Sequence, residues 1–202
     1  MALSVTIVRH GDTFDAGVAP RRIGARTDLP LVASGRAQAQ TLGAAFAAAG
    51  QAFDRALTAP LARSRETLAL ILAAQSAPPP VETADWLNEI DHGPDEDMPE
   101  DAVVARIGAA AIAAWDQQAQ APDGWTVDAA QRVAGWNALW ASGSGNVLLV
   151  TSNGAARFAL LSDPTLRAQA AALPTLKLRT GAFGTIVREQ GRLRLHDWNR
   201  RS

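Results

Sequence analysis

Short apolar runs that close on polar clusters set the rhythm of this chain. Leu3 to Val8 alternates, then turns β-branched, and ends at Arg9-His10-Gly11. That is the pattern of a buried strand delivering charged residues to its C-terminal end. Phe53–Thr58 and Asn146–Thr151 repeat it, leading into Thr58 through Arg63 and into Ser152-Asn153-Gly154. Helical periods lie between. An Ala/Gln stretch runs to Ala49, with Ser34 read as its N-cap and Gly50 as its stop, and Pro60 opens a second helix over Leu61–Ala74. Further helices are expected near 101–120 and 127–141 and over Ala155–Leu161, with Pro99, Glu100 and Asp101 as an acidic first turn. Ala77-Pro78-Pro79-Pro80 connects to a short strand near Val81. Two or three strands are expected between Thr175 and Trp198, with Gln190-Gly191 as a hairpin turn. Asp12–Pro30 and the acidic stretch Asp85–Glu100 have no period and read as long loops, which are usually functional.

Strand–helix alternation of this kind predicts an α/β fold, a three-layer α/β/α sandwich with a mainly parallel central sheet. Residues 1–202 are expected to form a single domain, with about 95–145 as a mostly helical excursion. Ligands of such sheets bind beyond the carboxyl ends of the strands. The three polar clusters at those ends are therefore the first places to look for chemistry.

Composition narrows the choice. The 202 residues include no Cys and no Tyr, and only three His, at 10, 92 and 196. A disulfide framework, a Cys-based zinc site, a thiol nucleophile and a phosphotyrosine intermediate are all excluded, and a His-rich metal cluster is not expected. With 19 basic against 20 acidic residues the net charge is −1, which lacks the basic excess of a nucleic-acid partner. No apolar run reaches about 18–20 residues, so no membrane span is expected. Met1 to Val5 enters a strand without a basic leader, so a cytoplasmic location is expected. Lys177 is the only lysine; every other basic residue is Arg, which binds phosphate through a planar fork that keeps its charge.

His10 stands between Arg9 and Gly11, and Arg63 opens the helix after the second strand. Two arginines beside a neutral imidazole make a poor metal site and a good phosphate site, leaving the histidine to attack phosphorus. The ordered blocks around them resemble the histidine phosphatase superfamily, the phosphoglycerate-mutase-like clan. Arg9-His10-Gly11-Asp12-Thr13 is similar to its Arg-His-Gly-Glu-Thr opening. Asp28-Leu29-Pro30-Leu31 followed by Gly35, Gln38 and Ala39 resembles its next segment, and Thr58 to Thr67 resembles its Ser-Pro-Leu-x-Arg-Ala-x-Gln-Thr segment. Leu87-Asn88-Glu89-Ile90-Asp91-His92-Gly93 resembles Leu-x-Glu-x-x-x-Gly.

The resemblance implies a phosphoglycerate-mutase-like fold and a phosphomonoesterase that needs neither metal nor other cofactor. His10 would form a phosphohistidine, Arg9 and Arg63 would hold the phosphoryl oxygens, and Glu89 would be the proton donor, with Asp91 as its reserve. The last block departs from the pattern. Where the clan has His-Gly after a strand, this chain has Asn153-Gly154, a neutral donor in place of a longer, chargeable one. Weakened or specialised catalysis is expected. The alternatives are a non-catalytic phospho-ligand-binding pseudo-phosphatase and phosphoglycerate-mutase-type phosphoryl transfer. Thr13, Arg22, His92 and Gly154 are candidate contacts to a small phosphorylated substrate, and Arg21 and Arg26 are further candidates for anion binding. His196 is expected to be structural, Arg157 to pair with a carboxylate or touch substrate, and most of the Trp residues to pack a core or lid.

Overall fold

The computed structural model describes residues 2–201. It runs β1 (Leu3–Arg9), α1 (Ala33–Ala48), β2 (Arg55–Thr58), α2 (Ala62–Leu72), β3 (Val81–Thr83), α3 (Glu100–Ile107) and α4 (Ala109–Gln118). There follow α5 (Ala129–Ser142), β4 (Gly145–Thr151), α6 (Asn153–Leu161), α7 (Pro164–Ala170), β5 (Phe183–Glu189) and β6 (Arg192–Arg200). The strands form one sheet in the order β3-β2-β4-β1-β5-β6, in which β5 alone runs antiparallel to the rest, pairing antiparallel with β1 on one side and β6 on the other.

Period two in the strands decides the layers. In β4, Val147 and Leu149 pack with residues of α5, α6 and α7, whereas Leu148 and Val150 pack with residues of α1 and α2. Both faces of the central strand are thus apolar, as a strand covered on two sides requires. Trp136 is fully buried, stacked on Trp140 at 5.2 Å and edge-on to Trp86 at 4.9 Å. These indoles are core, as expected. No helix among the described residues is long and apolar enough to cross a membrane.

Several boundaries differ from expectation, each for a visible reason. Ser34 lies inside α1 and does not cap it; Val32 is the N-cap, its N–H donating to the Asp12 carbonyl at 3.0 Å. Asp12 Oδ2 then accepts from Ser34 Oγ (3.3 Å) and Gln38 Nε2 (2.7 Å), so the loop anchors the helix start. The span 101–120 is broken at Gly108, whose φ of +82° ends α3 and starts α4. Helix α6 begins at Asn153, two residues early. Helix α7 was not anticipated, although Asp163 accepts from the N–H groups of Thr165 and Leu166 and Pro164 opens its first turn. Residues 175–182 form no strand. The hairpin turn at Gln190-Gly191 is as expected, both residues having positive φ (51° and 77°), the form that suits the twist of β5 and β6.

What matters for function is level. Arg9 of β1 pairs with Thr151 of β4, and Val150 of β4 pairs with Thr58 of β2. Three carboxyl ends therefore finish side by side.

Candidate active site

Above those ends lies a cleft of about 880 Å³ whose lining includes Arg9, His10, Glu89, Asn153 and Gly154. His10 is held by its backbone: its N–H donates to the Thr151 carbonyl at 3.0 Å. The next N–H, of Gly11, donates to Thr67 Oγ1 (3.1 Å), whose hydroxyl donates to the Arg63 carbonyl (2.7 Å). A Cβ at Gly11 would overlap the Gly35 carbonyl, so the loop can lie this close to α1 only without a side chain. His10 Nδ1 lies 2.8 Å from the Gly11 carbonyl. A carbonyl only accepts, so Nδ1 carries the proton and Nε2 the free lone pair. Burial, then the charges of Arg63 and Arg9, hold the imidazole pKa well below its ordinary 6.5. The buried ring is neutral at pH 7, with its Nε2 lone pair free.

The two arginines differ in placement. Arg9 lines the cleft and donates through Nη1 to the Leu178 carbonyl at 2.7 Å, while its Nε has no hydrogen-bond partner. Arg63 is fully buried and does not line the cleft. Its Nη1 and Nη2 donate to the carbonyls of Thr27 (2.7 Å) and Gly24 (3.1 Å), and its Nε is unpartnered. One N–H of each Nη is thus taken by the loop, one of each is left over with the Nε–H, and the charge of Arg63 bears directly on His10.

The loop that holds Arg63 is tied in turn to Glu96, which sequence reasoning missed. Glu96 Oε1 accepts from Gly24 N (2.8 Å), Arg26 N (3.1 Å) and Thr27 Oγ1 (2.7 Å), and Oε2 accepts from His92 N (3.1 Å). Burial pushes this carboxyl pKa up, but the His92 ring 3.7 Å away, Thr27 and the backbone donors outweigh it and bring the value down to about 2. A pKa lowered by folding stabilises the fold above about 4.5, and that contribution drains away as pH falls toward 2. After solvent screening it amounts to roughly 1–2 kcal/mol at pH 7. Glu96→Gln turns one acceptor into a donor facing donors. Urea unfolding is expected to show the variant less stable at pH 7 and the gap closing below pH 4.5; a gap independent of pH would remove the carboxylate from this role.

Glu89 is buried at the cleft floor, its Oε2 accepting from Gly154 N (3.2 Å) and its Oε1 from Ile90 N (2.9 Å). The turn that carries it is fixed from two sides. Thr151 Oγ1 donates to the Leu87 carbonyl at 2.5 Å. Buried Arg132 of α5 donates to the carbonyls of Val127 (2.6 Å), Trp86 (3.3 Å), Glu89 (3.3 Å) and Asn88. Asp91, the expected reserve, lies outside the cleft lining; its Oδ1 accepts from Arg26 Nε (3.0 Å) and Gly93 N (2.8 Å).

Asn153 sits at the start of α6 and its Oδ1 accepts from Leu178 N at 3.0 Å, which leaves the Nδ2 hydrogens as the donors of this cleft-lining amide. Leu178 thus joins Asn153 to Arg9, using its N–H for one and its carbonyl for the other. Behind Asn153, fully buried Arg157 lies over Trp115 (4.2 Å to the ring centroid) and 4.0 Å from Asp116. Burial lowers its pKa to about 10, so it remains a cation at neutral pH.

Thr13, Arg22, His92 and Gly154 all line the cleft. Arg22 pairs with Glu100 and lies over Trp125, on whose ring His92 also packs edge-on at 4.5 Å. Arg21 pairs with Asp97 (3.1 Å) and Arg26 with Asp91 (3.0 Å), so the loop arginines expected to attract anions are matched by the acidic stretch they face. His196 is exposed beside Asp197 and outside the cleft lining. Among the described residues, no three or more His, Asp or Glu side chains are grouped to hold a metal ion.

Solved structures share this architecture. An alpha-ribazole phosphatase from Shigella flexneri superposes with a TM-score of 0.72 at 25% identity, covering 98% of this chain and 97% of that one. A mycobacterial glucosyl-3-phosphoglycerate phosphatase gives a TM-score of 0.76 at 23% identity over 98% and 99% of the two chains. Bacillus stearothermophilus YhfR gives 0.76 at 20% identity over 99% and 98%. No curated protein matches the sequence significantly. The family model of the histidine phosphatase superfamily (branch 1) matches residues 5–201, and with the Arg9-His10-Gly11 strand end and the Glu89 turn meeting over one cleft, the chain belongs to that superfamily.

Proposed function

We propose that this protein is a metal-independent phosphomonoesterase that works through a phosphohistidine on His10. The observation that carries the reading is the tautomer of His10: a buried neutral ring whose Nδ1–H is given to the Gly11 carbonyl keeps Nε2 free. Nε2 bonds to phosphorus as the ester P–O bond breaks, and Glu89 gives its proton to the departing oxygen. Glu89 then takes a proton from water, whose oxygen attacks the phosphohistidine, releasing inorganic phosphate and restoring the ring. Arg9, the Asn153 amide and the N-terminal end of α6 stabilise the transferring group, and Arg63 adds positive potential. The reading treats the whole chain as one domain, with the 95–145 excursion as a wall of the cleft.

Incubation with radiolabelled para-nitrophenyl phosphate and a denaturing quench tests it. Acid-labile, alkali-stable label on His10 is expected, with turnover unaffected by a chelator. Activity abolished by the chelator would remove the metal-free mechanism.

Asn153 favours a second reading, a pseudo-phosphatase that binds phosphate without turning it over. Asn153→His separates the two. A ring Nδ1 near the present Oδ1 can accept from Leu178 N and present Nε2–H to the phosphoryl group. Because losing one such donor commonly lowers the rate by about 10²–10³ and the Asn amide replaces it in part, kcat is expected to rise roughly tenfold. A label that forms only in Asn153→His would establish the pseudo-enzyme. An unchanged kcat would mean that the amide already suffices.

A further inference from the structure

The segment 177–182 is stitched to the catalytic strand more tightly than its irregular backbone suggests. Arg9 N–H donates to the Ala182 carbonyl (3.0 Å), and the Gly181 N–H is shared between the carbonyls of Arg9 and His10 at 3.2 Å each. Leu176 and Leu178 are buried, so the alternate residues Lys177 and Arg179 face outward, and both line the cleft. The backbone of Arg179 is fixed as well, its N–H donating to Asn199 Oδ1 at 2.8 Å. Asn199 holds a left-handed φ of +63° at an irregularity in the β5–β6 register, where Phe183 pairs with Arg200 but Thr185 with Asp197. Bulges of this kind re-aim side chains beside active sites. Here the bulge brings Arg201, also a lining residue, to the same side, where its Nη2 makes a long bond to the Thr180 carbonyl (3.4 Å).

Arg9 at the histidine end aside, charge pairing sets these two residues apart. Arg21, Arg22 and Lys177 of the lining each have a carboxylate: Asp97, Glu100 and Asp116, the last at 2.6 Å. Among the described residues Arg179 has no side-chain hydrogen bond or ion pair, and Arg201 has no carboxylate partner. The backbone of Arg179 is fixed by Asn199, and Arg201 follows directly on the strand that carries that asparagine. The cleft is also far larger than a phosphoryl group requires, within the roughly 300–1,000 Å³ that holds a whole small molecule.

We propose that Arg179 and Arg201 form a second anion subsite at the mouth of the cleft, so that the preferred substrates are phosphomonoesters whose alcohol carries another anionic group, a carboxylate or a second phosphate. The proposal rests on the phosphatase reading for events at His10, but its test does not need turnover. Phosphonates resist hydrolysis, so calorimetric titration reads the subsite alone. Methylphosphonate gives the reference affinity of each protein for a lone phosphoryl group. Against it are set ω-carboxyalkylphosphonates and α,ω-alkylene bisphosphonates of graded length, which separate a carboxylate from a second phosphate. Wild type is expected to bind one length of one series at least fivefold tighter than methylphosphonate. That preference should shrink roughly five- to tenfold in Arg179→Ala, less in Arg201→Ala, and reverse in Arg179→Glu. No preference for any doubly anionic ligand, or a preference that survives Arg179→Glu, overturns the subsite. If methylphosphonate itself fails to bind, the phosphate pocket, and with it the phosphatase reading, fails separately from the subsite, which the longer ligands still report.

Discussion

His10→Asn is expected to abolish phosphotransfer, lowering kcat by roughly 10⁴–10⁶-fold and eliminating the trapped label, because it removes the atom that bonds to phosphorus. Asparagine keeps a donor near Nδ1 and so preserves the contact to the Gly11 carbonyl, which limits the loss to chemistry. Thermal unfolding close to that of wild type would establish this. The pH profile offers a second check on the same residue. A ring whose pKa is depressed by burial and by Arg63 and Arg9 stays neutral through pH 6.5 and below. Any acid limb in kcat/KM that belongs to His10 must therefore fall below 6.5, the free-enzyme value being what this ratio reports. A limb at or above 6.5 that disappears on changing the leaving group would belong to the substrate. One that persists across substrates would contradict the buried, neutral nucleophile.

Glu89→Gln carries the second large effect. For an alkyl phosphate, whose alkoxide leaves poorly without a proton, kcat is expected to fall by about 10²–10⁴. For para-nitrophenyl phosphate, the departing phenolate needs little protonation, so the first step survives while the second still lacks its base. A burst of one equivalent of nitrophenolate followed by slow turnover, with phosphohistidine accumulating, is the expected signature. Equal losses on both substrates with no burst would assign Glu89 to holding Gly154 N and the 87–90 turn, and not to moving protons.

The placing of His10 at the end of the cleft was legible because its information is local. A β-branched strand ending in Arg9-His10-Gly11 states both where the histidine sits and that it sits at a carboxyl end. Glu89 was legible only through the resemblance of Leu87–Gly93 to a family segment, whereas the Gln190-Gly191 turn could be read from its residue types. The supports were not, because they are set by distant parts of the chain. Arg132 lies 43 residues from Glu89 and grips main-chain carbonyls, leaving no pattern of complementary side chains to read. Glu96 belongs to an acidic stretch that looks like a solvated helix entry until the loop at 24–27 folds over it. Arg63 was placed correctly in its helix, but its bonds to the carbonyls of Gly24 and Thr27 exist only in the folded loop and could not be read from the sequence. Asp163-Pro164 is a different matter: its cap signal is wholly local and was passed over.

Leu178 joins Arg9 and Asn153 with main-chain atoms alone, and main-chain atoms do not change when side chains mutate. The phosphate end and the mouth of the cleft can therefore diverge independently. On the proposed subsite, substitutions at 179 and 201 are expected to alter which leaving group binds while the frame that aligns Arg9 and Asn153 is kept. In evolutionary terms the segment is a cassette, a fixed frame carrying exchangeable readers, and it is where a lineage retaining His10 could adopt a new substrate in one or two steps. The same property recommends these two positions as the starting library for redirecting the enzyme by design.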